Sequence, residues 1–238
     1  MSNGIRERVF AFNQTARDAW VALRAAEVAA GSRVLDVGAG PCPYRSLFSH
    51  CEYRAHDFAQ LPPDLSGGYG RLDYVSDILR LPVEDGSFDV VLCTEVLEHV
   101  PDPEGAVREL ARVLRHGGTL LLTAPLGSGL HQQPYHFFGG FTPHWYREFL
   151  PRAGFGDLAI EPNGGFFAHF GQEAQRFEKM LRPEWRHPRT WTRAPVWLCS
   201  APIARIAVPL LCYWLDPGDT ERHFTVGYHV RAVRGAST

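Results

Sequence analysis

The run Val34-Leu35-Asp36-Val37-Gly38-Ala39-Gly40 is apolar, carries one embedded acid and ends in two glycines. Such a run makes a buried strand, and the glycines let the backbone that follows approach a small ligand closely, with the unpaired N–H groups of a following helix aimed at it. Taken alone, the pattern is compatible with a structural turn or with a site for NAD, FAD or another nucleotide. A second strand-like run ends at Asp57, roughly 20 residues after the turn, where an acid can accept hydrogen bonds from both hydroxyls of a ribose. Asp77 precedes Ile78 and Leu79, an acid beside an apolar wall suited to an adenine ring, although Asp77 also reads as a helix N-cap and Asp36 as a turn-capping acid.

A third group of residues carries proton or metal chemistry. Thr94-Glu95-Val96-Leu97-Glu98-His99-Val100 follows another apolar run, Phe88 to Cys93. If a helix starts there, Glu95, Glu98 and His99 share one face at i, i+3 and i+4. Two carboxylates and an imidazole can hold a divalent cation, with His131 or His136 completing the set, or they can brace a strand-to-helix turn. We assign no metal. His131 and His136 lie in the long stretch 125–142, which is rich in glycine and aromatic residues. Histidine there can accept a proton near neutral pH, while Phe137, Phe138 and Phe141 read as core anchors.

In this order, the glycine turn, Asp57, Asp77, the Glu95 to His99 string and the turn His116-Gly117-Gly118-Thr119 into Leu120-Leu121-Leu122-Thr123 resemble the class I S-adenosylmethionine-dependent methyltransferases over about residues 30–160. The resemblance is closest to the type 11 group. It implies that Asp36, Gly38 and Gly40 line the methionine end of S-adenosyl-L-methionine, that Asp57 holds the ribose and that Asp77 and Ile78 hold the adenine, with Glu95 also on the cofactor side. Many relatives have a third glycine where this chain has Cys42, between Pro41 and Pro43; a sulfonium cofactor has no pyrophosphate and needs less exposed backbone there. The resemblance further implies methyl transfer to a small-molecule acceptor. An oxygen of a saccharide or other biosynthetic intermediate fits best, with His131, His136 and His99 as the candidate catalytic residues. A nicotinamide oxidoreductase would share the first turn but leaves Asp77 and the Glu95 to His99 string unexplained. A noncatalytic cofactor-binding module on the same fold would usually have lost the glycine turn or the ribose acid.

The elements that position these residues alternate along the chain. Residues 5–30 have helical spacing of Val9, Phe12, Ala16, Ala19, Trp20 and Leu23 up to Gly31. Strands are expected near 33–37, 52–56, 71–75, 88–93, 119–124, 156–161 and 223–233, and a helix over 103–115 on the face Val107, Leu110, Ala111 and Leu114. This alternation predicts an α/β fold: a doubly wound, mostly parallel seven-stranded sheet with helices on both faces, Rossmann-like, with the last strand antiparallel. The whole chain, 1–238, reads as a single domain with a substrate cap, 162–222, inserted between the last two strands where ligands bind.

Within the insertion, a helix is expected over 167–181. The apolar stretch Pro195 to Leu215 is interrupted by Pro202, Arg205 and Pro209, which disfavours a transmembrane span and predicts burial against the core, with peripheral membrane contact as the alternative. The 238 residues suffice for one substantial core, and a net charge of −2 implies no general attraction to nucleic acid. Five scattered cysteines with no Cys-x-x-Cys pair suggest neither a disulfide framework nor a zinc knuckle. They fit a reducing, cytoplasmic setting, and the N-terminal residues do not read as a signal peptide. The oligomeric state is not legible.

Overall fold

A computed structural model describes residues 4–62, 64, 67–184 and 186–235. It divides into two compact units. One comprises residues 17–161 and 227–235, the other residues 4–16 and 162–226.

The first unit is built on a seven-stranded sheet: β1 (Arg33–Val37), β2 (Glu52–Asp57), β3 (Tyr74–Val75), β4 (Phe88–Thr94), β5 (Leu114–Pro125), β6 (Phe155–Pro162) and β7 (Gly227–Arg234). The strand order is β3-β2-β1-β4-β5-β7-β6. β3, β2, β1, β4 and β5 pair in parallel, while β7 runs antiparallel to β5, from Thr119 opposite Val233 to Pro125 opposite Gly227. The predicted fold class is thus observed. Alternation along the strands explains why helices cover both faces. Leu35, Val37, Val91, Cys93, Leu120 and Leu122 enter one core cluster, whereas Val34, Val90, Leu92 and Leu121 enter another on the opposite side.

α3 (Pro103–Val113) begins with Pro103 in its first turn, and the Asp102 carboxylate accepts the Gly105 N–H at 2.8 Å, a pairing that satisfies one orphan donor of the helix start. It buries Ala106, Val107, Leu110 and Ala111. Leu114, expected on that helical face, instead opens β5, which starts five residues before the predicted strand and shifts register against β4 between Phe88 and Val90. An irregular ladder accommodates His116 to Gly118 inside the strand rather than as a turn before it. β3 is shorter than predicted. The N-terminal helix is also two helices, α1 (Ile5–Phe10) and α2 (Phe12–Ala26), because Ala11 leaves the helical region at φ −131° and ψ 32°. Trp20, Val21 and Ala25 form the buried face of α2, and Leu23, assigned to that face from its spacing, is 56% exposed.

The second unit contains α1 and three helices of the insertion, α5 (Phe166–Leu181), α6 (Ala194–Pro202) and α7 (Val208–Leu215); α4 (Pro143–Arg152) belongs to the sheet unit. The start of α5 lacks a side-chain cap of its own. Asp216 accepts the N–H groups of Gly165 at 3.0 Å and Ala168 at 2.8 Å, and Asp219 accepts that of Phe166 at 2.6 Å. Carboxylates on the first N–H groups also complement the positive end of the helix dipole. The prolines expected to break the apolar stretch do not end it. A π-helical turn, Ile203–Ala207, joins α6 to α7, and the Val208 N–H donates to the Ile203 carbonyl. Such wider turns absorb the bond that Pro202 and Pro209 cannot donate. The expected burial of this stretch is not found: Val196, Leu198, Ile203, Ile206, Leu211 and Trp214 are exposed, whereas Ala204, Pro209 and Cys212 are buried.

Candidate functional site

The parallel strands end on one edge, and their C-terminal loops carry the residues singled out by type and spacing. There they enclose a cavity of about 460 Å³, within the range of small-molecule and cofactor sites. Asp36, Gly38, Gly40, Asp57, Asp77, Ile78 and Glu95 all line it, and so does His99. His131 and His136 do not line the cavity; they pack beside His99 on the loop after β5, with ring centroids 4.7 and 5.7 Å from it.

The glycine turn is required by its surroundings. Gly38 has φ +72°, and a Cβ there would lie 2.3 Å from Val96 Cγ2. Gly40, at φ +49°, has no atom within 4 Å of its Cβ position, so its open side faces space that a ligand can use. Its N–H donates to Asp57 Oδ2 at 2.9 Å, and the Ala59 N–H donates to Asp57 Oδ1 at 2.8 Å. Two backbone donors therefore fix the orientation of this carboxylate at the end of β2, and each oxygen keeps a further lone pair for a hydroxyl. Cys42, at the position where a third glycine was considered, itself adopts φ +58°. The turn there has the glycine-like conformation without the glycine.

Asp36 is almost fully buried and receives the Tyr53 hydroxyl in a short hydrogen bond. Burial pushes its carboxyl up to about 7. No helix follows Asp77, so the helix N-cap read as its alternative is absent; its carboxylate instead accepts the Leu79 N–H at 2.9 Å within a turn, and the residue lines the cavity beside Ile78. One carboxylate does both because it has several acceptor sites.

The expected helix at Glu95 to His99 is replaced by a 3-10 turn, Leu97–His99, preceded by Glu95 at φ +54°. The shared face therefore does not form. Glu95 accepts the Thr123 hydroxyl at 2.7 Å and pairs with Arg17 Nη1 at 3.4 Å. Arg17 lines the cavity too, although its place on an amphipathic helix does not mark it out from a solvated charge. Tyr44, Phe58, Tyr135 and Phe137 were likewise missed as lining residues. Phe137 and Phe138, read as core anchors, are exposed, while Phe141 is buried as expected.

Glu98 is buried, its Oε2 has no hydrogen-bond partner, and burial together with the nearby Glu95 raises its carboxyl above the usual range. Its backbone carbonyl receives the Phe137 and Phe138 N–H groups at 2.9 and 3.1 Å, which tie the loop after β5 to this turn. His99 Nδ1 lies 2.6 Å from the Tyr135 carbonyl. A carbonyl only accepts, so Nδ1 carries the proton and Nε2 keeps its lone pair. Burial depresses His99 to about 4, which keeps the ring neutral. His131 Nδ1 is anchored in the same way on the Gly129 carbonyl at 2.9 Å. Ser128 Oγ donates to the Gly139 carbonyl at 3.0 Å and so accepts from His136 Nε2 at 3.1 Å, leaving Nδ1 of His136 with its lone pair. Among the described residues, Glu98, His99 and His131 bring donor atoms within 4.8 Å of one another, so the set able to hold a cation contains Glu98 and excludes Glu95.

Comparison with known proteins bears on this site. Residues 35–122 match the family model described as a methyltransferase domain. Over 140 residues the chain is 34% identical to a ubiquinone biosynthesis O-methyltransferase of Xanthomonas oryzae, a match spanning 52% of this chain and 59% of that protein. The chain thus spans little more than half the length of that relative. Among solved structures, a SAM-dependent methyltransferase from Archaeoglobus fulgidus superimposes with a TM-score of 0.58 at 15% identity, covering 96% of this chain and 98% of the other. The [4+2]-cyclase SpnF superimposes with a TM-score of 0.56 at 21% identity, covering 94% of this chain and 81% of the other. At such identities the likeness is one of fold. Residues 35–122 thus resemble a methyltransferase domain, and the chain shares its fold with the SAM-dependent methyltransferase from Archaeoglobus fulgidus.

Proposed function

We propose that this chain transfers a methyl group from S-adenosyl-L-methionine to an oxygen of a small-molecule acceptor, a saccharide or other biosynthetic intermediate. The observation that carries the reading is the single cavity lined by Gly38, Gly40, Asp57, Asp77, Ile78 and His99. Asp57, held by two backbone N–H groups, presents acceptors to a ribose. Asp77 and Ile78 supply an acceptor and an apolar wall for a purine. The open side of Gly40 admits the chain between them, and Glu95 with Arg17 offers an acceptor and a donor to the amino-acid end. The cofactor, when bound, supplies a methyl carbon on a sulfonium leaving group, so the protein's task is alignment and exclusion of water.

An acceptor hydroxyl must also lose its proton. Of the three histidines, His99 lines the cavity, although burial lowers its basicity to about 4; His131 and His136, packed beside it on the loop after β5, are the alternatives for taking that proton. The oxygen acceptor is supported by the name of the Xanthomonas relative. A second reading, a cofactor-binding protein that does not transfer methyl, is favoured by the cyclase neighbour, since one fold hosts different reactions.

Calorimetry with S-adenosylhomocysteine and with NAD tests the cofactor; binding of NAD alone would overturn the proposal. Formation of S-adenosylhomocysteine over a panel of saccharide hydroxyls tests transfer. Tight cofactor binding with no turnover across such a panel would favour the second reading.

A further inference from the structure

We propose that the insertion docks on an anionic lipid surface through the outer side of its apolar helical run. The run Pro188–Gly218 is 31 residues long, and its most apolar window has a mean hydropathy of 1.6 with only 17% of it buried. A helix apolar on all sides is normally enclosed by protein or by lipid. Here one stripe is enclosed: Cys212 and Pro209 pack on Gly171 of α5, whose Cβ position is 3.2 Å from Cys212 Cβ, and Trp197 Nε1 donates to Glu178 Oε1 at 2.9 Å. The opposite stripe, with Ile203, Ile206, Leu211 and Trp214, is exposed, Trp214 at 77%. Phe170, Phe177 and Met180 of α5 are also exposed. Many large apolar side chains exposed on one short segment mark an interaction surface.

Charge identifies the occupant. The chain as a whole has a net charge of −2, yet the run Pro188–Gly218 contains Arg189, Arg193 and Arg205 against one acid, Asp216, and Arg186 stands just before it. All four arginines are exposed. Apolar residues, tryptophans and an excess of arginines over acids are the composition of helices that lie in the headgroup region of anionic bilayers. A span is disfavoured, since Arg205 lies near the middle of the run and one side is already packed on α5. The run therefore lies along the surface. This inference does not depend on the methyl-transfer reading.

Flotation of the full chain with vesicles of equal parts phosphatidylglycerol and phosphatidylcholine, against phosphatidylcholine alone, tests it. We expect strong binding to the first, weaker binding to the second, and partial retention in high salt. Arg189→Gln and Arg193→Gln should each reduce partition to anionic vesicles by about fivefold. Leu211→Gln with Trp214→Gln should reduce partition to both kinds. All four positions are exposed, and circular dichroism checks that each variant keeps its helix content. The inference is overturned if the parent chain stays soluble with anionic vesicles, or if binding survives both sets of substitutions. It also fails if sedimentation shows that Leu211→Gln dissociates a dimer while the vesicles bind nothing, because the face would then belong to a second copy of the chain.

Discussion

Substituting Gly38 by alanine should damage both the fold and the site, and the structure separates the two costs. At φ +72° an L-residue loses about 1–2 kcal/mol relative to glycine. The new Cβ would also sit 2.3 Å from Val96 Cγ2, far inside contact distance, and overpacking of that kind costs about 1–3 kcal/mol. The sum, about 2–5 kcal/mol, is a large part of the 5–15 kcal/mol that typically stabilises a domain. Denaturant unfolding of Gly38→Ala, Val96→Ala and the double variant isolates the steric part. Val96→Ala removes Cγ2 and leaves Val96 Cβ 3.4 Å away, an ordinary contact. The double variant should therefore recover about 1–3 kcal/mol relative to the sum of the singles while the backbone cost remains. Gly40→Ala is the control: its Cβ position is open, so it should cost only about 1 kcal/mol in stability and yet weaken cofactor binding by placing a methyl in the cavity. Additive singles, or a Gly38→Ala chain as stable as its parent, would refute this account of the turn.

Other consequences can be measured independently. Asp57→Ala should weaken S-adenosylhomocysteine binding by about 1.5–3 kcal/mol, by loss of charge-assisted hydrogen bonds and of the anchor for the Gly40 N–H; unchanged affinity in calorimetry would remove Asp57 from the site. Because burial raises Asp36 to about 7 from 3.8, the folded cofactor-free chain binds a proton that the unfolded chain has released across that interval. Its stability should therefore rise as pH falls through 7, by about 1.4 kcal/mol between pH 8 and pH 6, and Asp36→Asn should flatten that slope in chemical denaturation. Replacing whichever of His131 and His136 takes the acceptor proton by alanine should cut turnover about 10²–10⁴-fold with cofactor affinity nearly intact; full turnover in both single variants would make the loop histidines structural.

What could be read without coordinates was local and periodic. The strand ending in Gly38 and Gly40 follows from an apolar run and the backbone freedom of glycine, so the sheet was recognisable, and the order of motifs marked eight residues that line the cavity. Tertiary structure decided the rest. Arg17 reaches Glu95 across 78 positions of sequence, and no local pattern marks a charge that a distant element will use. Glu95 at φ +54° converts the expected helical face into a 3-10 turn, because pairing with Arg17 and Thr123 outweighs local helical spacing at the end of β4. The three histidines share a cluster only because the Glu98 carbonyl ties down the loop after β5. Helical periodicity likewise placed Leu23 inside, although side-chain direction depends on which face the sheet covers. Composition marked the 195–215 stretch as apolar, but whether such a stretch is buried depends on partners in space: α5 covers one stripe of it and leaves the other to solvent.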